Sequence, residues 1–257
     1  MHGKEIRKVL RSGGKVFGTC LEGVGNQRQL YYLQKTGVDF VFIDNEHNPL
    51  DRNQTSSACY FFTNAGIAPF VRIPRPDANL AAGIVDSGGC GVIAPYVENE
   101  DEAWDIVAAV KYRPLKGKAL KDLRVSNKFP SDKTKEYIEN MNENNVVVIM
   151  IESAAGAENL EKILEVPGID AILIGPNDFS ISHGVPDMYD HPIFVNAAQK
   201  VMEKSLKAGA GFGIHFSDLE LHRIWTQKGQ NFVTYSSDTS IACQYLQQGI
   251  EELRKLQ

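Results

Sequence analysis

The sequence predicts a (β/α)8 barrel, and three observations carry that expectation. Eight short apolar or β-branched runs recur along the chain, most of them too apolar to have a solvent-facing side, as parallel strands covered on both faces must be. Segments of helical spacing lie between them, the rhythm of crossover connections. The chain has 257 residues, the usual length of such a barrel built as one domain. The expected unit is therefore a single domain over residues 1–257, with an open doubly wound sheet as the architectural alternative.

The expected strands are residues 16–21 (VFGTCL), 40–44 (FVFID), 69–73 (PFVRI), 92–97 (VIAPYV), 146–151 (VVVIMI), 171–174 (AILI), 211–215 (GFGIH) and 232–235 (FVTY). Apolar residues at helical spacing mark helices over 27–35, 78–86, 100–110, 157–164, 194–207, 218–228 and 239–256. Gly37, Gly88, Gly168, Gly209 and Gly229 follow helix ends, where the turn into the next strand calls for a positive φ. One stretch breaks the rhythm: residues 111–132 are rich in Lys, Arg, Pro and Gly and carry no strand pattern. They read as a long excursion, either a functional or interface loop or a plain solvated one.

Composition narrows the function classes. Twenty-seven Lys and Arg against 32 Asp and Glu give a net charge of −5, without the clustered basic footprint of a nucleic-acid binder. The longest apolar run, VVVIMI, falls far short of the roughly 20 residues that span a bilayer. Small molecules and other subunits are the expected partners, with no nucleic acid and no membrane. The N-terminus lacks the apolar core and cleavage site of a secretory signal. Cys20, Cys59, Cys90 and Cys243 form no Cys-x-x-Cys pair, against a disulfide framework or zinc ribbon. A cytoplasmic protein with reduced cysteines is expected.

In a barrel the reacting groups come from the C-terminal ends of the strands. Here the second strand runs into Asp44, Asn45, Glu46 and His47, the third into Arg72, the fifth into Glu152 and Ser153, and the sixth into Gly175, Pro176, Asn177 and Asp178. Glu152 directly follows six apolar residues, so its carboxylate emerges at the rim or is buried at a cost of several kcal/mol. Two carboxylates converging in a partly dry site repel, and a divalent cation held by oxygen relieves this, which favours Mg2+ or Mn2+ over zinc. The plain alternative is that Glu152 and Asp178 each cap a helix. His47 has Asp44 and Glu46 near it in sequence, either of which could orient its imidazole for general-base work. Arg72 ends an apolar strand, where a guanidinium belongs against an anionic substrate or, more plainly, in a salt bridge to Glu46 or Asp44. Gly175, Pro176 and Asn177 present backbone to an anion where strand turns to helix.

These residues resemble the HpcH/HpaI aldolase family, metal-dependent class II pyruvate aldolases. FVFIDNEHNP (40–49) is similar to the family's Asp-Gly-Glu-His-x-Pro signature, PFVRIP (69–74) to its Val-Arg-x-Pro strand, residues 149–152 to its metal-glutamate strand, and IGPNDFS (174–180) to its Gly-Pro-x-Asp-Leu-Ser segment. His191 and Pro192 match in register. The resemblance runs over nearly the whole chain. It implies that Glu152 and Asp178 are metal ligands, that Arg72 stabilises an enolate, and that His47 is the base with Asp44 beside it. Backbone around Asn177 would hold a pyruvate carboxylate, and Asp86 would reach a neighbour's site.

The resemblance further implies a last helix packed on a neighbouring subunit, in a homo-oligomer that is commonly a hexamer or trimer of dimers. This chain departs from the family at Met150, where glutamine is usual, at Cys20, where tryptophan is common, and at His215, where an aliphatic residue is common. It also lacks the family's Arg-Gly at 118–120. Met150 and His215 thus join the expected substrate-binding set. The expected activity is reversible cleavage of a 4-hydroxy-2-oxo acid to pyruvate and an aldehyde, with Mg2+ or Mn2+ as cofactor and Co2+ as a further candidate. The alternatives are a citramalyl- or malyl-CoA lyase-like enzyme, whose basic channel would have to be residues 111–121, and a non-catalytic 2-oxo acid-binding protein.

Overall fold

A computed structural model describes residues 1–23, 27–48 and 50–256. Eight strands form its centre: β1 (Val16–Leu21), β2 (Phe40–Asp44), β3 (Ala68–Arg72), β4 (Gly91–Ala94), β5 (Val146–Ile151), β6 (Ala171–Ile174), β7 (Gly211–Phe216) and β8 (Phe232–Ser237). Each pairs in parallel with the next, and β1 pairs with β8, so the sheet closes into a barrel. The open-sheet alternative is thereby excluded.

The period-2 geometry of a strand divides the apolar residues between two cores. Along β5, Val147, Ile149 and Ile151 join the outer core beneath the helices, whereas Val146, Val148 and Met150 join the inner core of the barrel. This double burial is why the strand reads as an unbroken apolar run. Three rings fill the lower barrel, with Phe40 4.5 Å from Phe232 and 5.2 Å from Phe70. Gly91 makes room for them, since a Cβ there would lie 2.0 Å from Phe70 Cδ1.

The helices are α1 (Gly3–Arg11), α2 (Gln27–Leu33), α3 (Arg52–Asn64), α4 (Ala78–Asp86), α5 (Glu100–Lys111), α6 (Gly117–Ser126), α7 (Asp132–Met141), α8 (Ala154–Glu158), α9 (Leu160–Leu164), α10 (Pro176–Ser182), α11 (Pro192–Lys207), α12 (Leu219–Lys228) and α13 (Asp238–Arg254). The five glycines expected after helix ends all take a positive φ.

Several expectations need correction. The excursion at 111–132 is no loop, for it carries the whole of α6 and leads into α7, helices whose sparse apolar residues bury little more than Leu123 and Ile138. Helix α3 escapes notice because its sequence is largely Thr, Ser, Asn and Gln. A capping box secures its start, where Asp51 accepts from the Asn53 and Gln54 N–H groups at 2.8 Å each. Strand β4 stops at Ala94 instead of 97, because Tyr96 turns the chain with φ +51°.

The last helix stands apart. None of the residues of α13 is buried, and Tyr245, Leu246 and Leu253 are strongly exposed. Beside it, the outer face of β1 and β8 lines an apolar cavity of about 1020 Å3 with Phe17, Val233, Tyr235 and Leu219. Among the described residues, no helix is long and apolar enough to cross a membrane.

Candidate active site

The C-terminal ends of the strands surround a cavity of about 620 Å3 into which His47, Arg72, Met150, Glu152, Asp178 and His215 all look. Gly175, Pro176 and Asn177 line it as well. Residues from β2, β3, β5, β6 and β7, far apart in sequence, are thus brought to one mouth. Pro49, the end of the first resembling segment, lies outside the described residues.

Arg72 is the hub. Its Nε donates to Asp44 Oδ1 at 2.8 Å, its Nη1 lies 3.0 Å from Glu46 Oε2, and its guanidinium sits over the Phe42 ring at 5.1 Å. The plainer sequence reading of this arginine is the one seen, a salt bridge to Asp44 and Glu46, and the same side chain also lines the cavity. Asp44 accepts further from the Glu46 N–H at 3.0 Å and from Asn48 Nδ2 at 3.2 Å. Burial alone would raise the Asp44 carboxyl, but the hydrogen bond and charge of Arg72 outweigh it and hold the group below the ordinary carboxylate range. Burial raises Glu46 against the opposing pull of Arg72.

His47 is exposed at the rim. The carboxylate near it is that of Glu46, at 3.8 Å, beyond hydrogen-bond reach. Asp44 is engaged with Arg72 instead of the imidazole.

Glu152 is buried, and burial pushes its carboxyl up to about 7. The turn after β4 answers it, because the positive φ of Tyr96 aims that residue's N–H at Glu152 Oε2, at 2.8 Å. Nothing in the sequence pattern marks this contact, since it uses a backbone atom. On the other side, a Cβ at position 175 would come within 2.2 Å of Glu152 Oε1, so glycine there lets the carboxylate lie against the backbone. Asp178 is in the first turn of α10 and exposed to the cavity. Pro176 opens that helix without an N–H, and the Asn177 and Asp178 amides follow as first-turn donors. Ser153, by contrast, is a helix cap, accepting from the Gly156 N–H at 3.1 Å.

Met150 is buried beneath the cavity. His215 places Nε2 3.0 Å from the Ser236 carbonyl, and burial lowers its proton affinity. A carbonyl only accepts, so the neutral ring donates from Nε2 and keeps Nδ1 as an acceptor. Asp86, at the end of α4, is ion-paired with Arg113 and does not line the cavity of its own chain. No sign in the sequence marked Tyr189, Phe216 and Leu221, which line the same cavity from the loop before α11, the end of β7 and the start of α12.

The basic stretch 111–121 is not part of the mouth. Lys111 donates to the Asn145 carbonyl and, at 2.5 Å, to Asp170 Oδ2. Both partners directly precede a strand, so this stretch starts at the N-terminal end of the barrel, opposite the cavity. A basic channel for a CoA thioester is therefore not formed by those residues. Among the described residues no three of His, Cys, Asp and Glu gather as a ready-made metal cage.

The chain belongs to the HpcH/HpaI aldolase/citrate lyase family, whose model matches residues 25–244. With relatives named as aldolases along most of its length, it is a carbon–carbon lyase of the 2-oxo acid aldolase kind. It is 30% identical over 226 residues to a hydroxypyruvate/pyruvate aldolase of Rhizorhabdus wittichii, covering 87% of this chain and 88% of that one. It is 31% identical over 220 residues to a 2-keto-3-deoxy-L-rhamnonate aldolase of Klebsiella pneumoniae, covering 82% and 79%. A crystal structure of a family protein from Burkholderia cenocepacia superposes with a TM-score of 0.83 at 26% identity, over 98% of this chain and 99% of that one.

Proposed function

We propose that the protein is a divalent-metal-dependent aldolase that reversibly cleaves a 4-hydroxy-2-oxo acid to pyruvate and an aldehyde. The observation that carries this reading is the meeting of Glu152, Asp178, Arg72 and His47 around one cavity. Glu152 and Asp178 would hold the cation, which fits an oxygen-only donor pair of which one member is buried and raised to about 7: a cation favours the carboxylate that burial disfavours. Two protein ligands leave room for water and substrate. The ion, Mg2+ or Mn2+ with Co2+ as a further candidate, would supply Lewis acidity toward the 2-oxo acid's oxygens.

The chain's own groups do the rest. First-turn amides at Asn177 and Asp178 would bind the substrate carboxylate. Arg72, held by Asp44 and Glu46, would add positive charge where the enolate develops. His47 would take the proton from the 4-hydroxyl as the carbon–carbon bond breaks, and return it in the condensation direction. We further propose that α13 docks on a neighbouring copy, as in a hexamer or trimer of dimers, and that Asp86 reaches a neighbour's site there. Four free cysteines support a reducing, cytoplasmic setting.

The test is metal removal. Exhaustive EDTA treatment should abolish pyruvate release from a 4-hydroxy-2-oxo acid, and Mn2+ should restore it; full activity after chelation would exclude the metal-dependent reading.

A further inference from the structure

We propose that the aldehyde end of the cavity is built for an unhydroxylated, apolar-substituted aldehyde, selected by Tyr189 and by Asp187. The inference rests on the aldolase reading above and names the substrate class within it.

Around the rim, His47, Arg72, Glu152 and Asp178 occupy the arc from β2 to β6. The arc that continues past β6 is lined by Tyr189 from the loop before α11, by Phe216 at the end of β7 and by Leu221 of α12, with Met150 beneath. The Tyr189 ring is fixed, lying 5.4 Å from both Phe194 and Phe216. Its hydroxyl does not serve the cavity, for it donates to Asp187 Oδ1 at 2.8 Å.

Asn177 Nδ2 donates to that same oxygen at 2.9 Å. The Asp187 N–H in turn donates to Ser180 Oγ at 3.0 Å, and Ser180 donates to the Asn177 carbonyl at 2.7 Å. Asp187 takes a left-handed backbone, φ +56°, which Asp adopts more readily than most residues. The loop thus folds so that one carboxylate engages both side-chain donors at this end of the cavity. What remains is a neutral His215 that accepts through Nδ1, Ser217 at the mouth, and Asp218, whose Oδ1 is already taken by the Glu220 and Leu221 N–H groups at the start of α12. An aldehyde carrying several hydroxyls would lose water there and find few partners, a loss of roughly tenfold or more in binding per unpaired hydroxyl.

Propanal and glyceraldehyde have three carbons each and differ by two hydroxyls, so with pyruvate and Mn2+ they form the matched pair. On free-aldehyde concentrations, kcat/KM should favour propanal by at least about tenfold. Asp187→Gly keeps the left-handed backbone and frees both donors, so it should move the ratio toward glyceraldehyde by about tenfold. Tyr189→Ser should do likewise, while Tyr189→Phe keeps the ring and the propanal preference.

Exchange of the pyruvate methyl protons with deuterated water reports the aldolase site without any aldehyde. A parent enzyme that exchanges but shows no propanal preference overturns this inference alone, as does an unmoved ratio in both folded variants, Asp187→Gly and Tyr189→Ser. A metal-supplied parent that does not exchange overturns the aldolase reading and this inference with it.

Discussion

Arg72 shows how one residue joins structure and chemistry. Its guanidinium is set by Asp44, Glu46 and the Phe42 ring, so in the proposed mechanism it would meet a substrate in a fixed pose without reorganising. Arg72→Ala should lower kcat/KM by roughly 10²-fold or more, and Arg72→Lys should recover only part of it, because an ammonium cannot reproduce the fork to two carboxylates. Near-parent activity in Arg72→Ala would assign the arginine to its two salt bridges alone. Glu152 makes a pH prediction. Folding raises its carboxyl from 4.5 to about 7, chiefly by burial, so its contribution to stability is full below 4.5 and is lost as pH rises through about 7. The metal-free parent should therefore lose more thermal stability than Glu152→Gln between pH 4.5 and 8, and a saturating divalent cation should reverse that difference. Calorimetry across this range checks it, and parallel curves for parent and variant would refute it. The sequence showed Glu152 emerging from an apolar strand; it did not show the Tyr96 amide that meets it, because a backbone donor leaves no mark in residue type.

At the scale of elements, α13 carries its apolar residues Ile241, Tyr245, Leu246, Ile250 and Leu253 at helical spacing, all of them exposed. A stripe of that kind calls for a partner surface, and the cavity on the outer face of β1 and β8 is apolar too, with Phe17 48% exposed. The double variant Leu246→Asp, Ile250→Asp should shift the solution mass from an oligomer toward the 28.5 kDa of one chain; light scattering on a sizing column reads this, and an unchanged mass would refute docking through α13. Strands were legible because burial on two faces leaves long apolar runs. Helices α3, α6 and α7 were not, since each buries a narrow face and owes its start to local geometry, such as the Asp51 capping box.

Across the whole molecule the two ends of the barrel divide the work. The C-terminal end gathers the cavity. The N-terminal end is closed by Asp170, whose side chain is 1% exposed and accepts from Lys111 at 2.5 Å, from the Val147 N–H at 3.0 Å and from Arg7 at 3.1 Å. Burial lowers Lys111 to about 8 even against the pull of Asp170, so removing the partner leaves a buried ammonium uncompensated. Asp170→Ala should cost about 3–5 kcal/mol of stability, read as a lower urea midpoint, while kcat per folded molecule stays close to the parent's. A large loss of kcat with stability intact would contradict this separation of the ends.

By itself the sequence determined the eightfold alternation of strands and helices and the set of side chains at the strand ends. Those depend on local pattern: apolar period along a strand, glycine after a helix, polar residues where an apolar run stops. Only the tertiary structure decided that the sheet closes into a barrel, which partner each group takes, that Asp44 engages Arg72 in preference to His47, that Lys111 lies at the far end from the cavity, and that Asp187 holds Tyr189 and Asn177. Such pairings join strands and loops distant along the chain, and they follow from barrel closure and register, which no local window of residues contains.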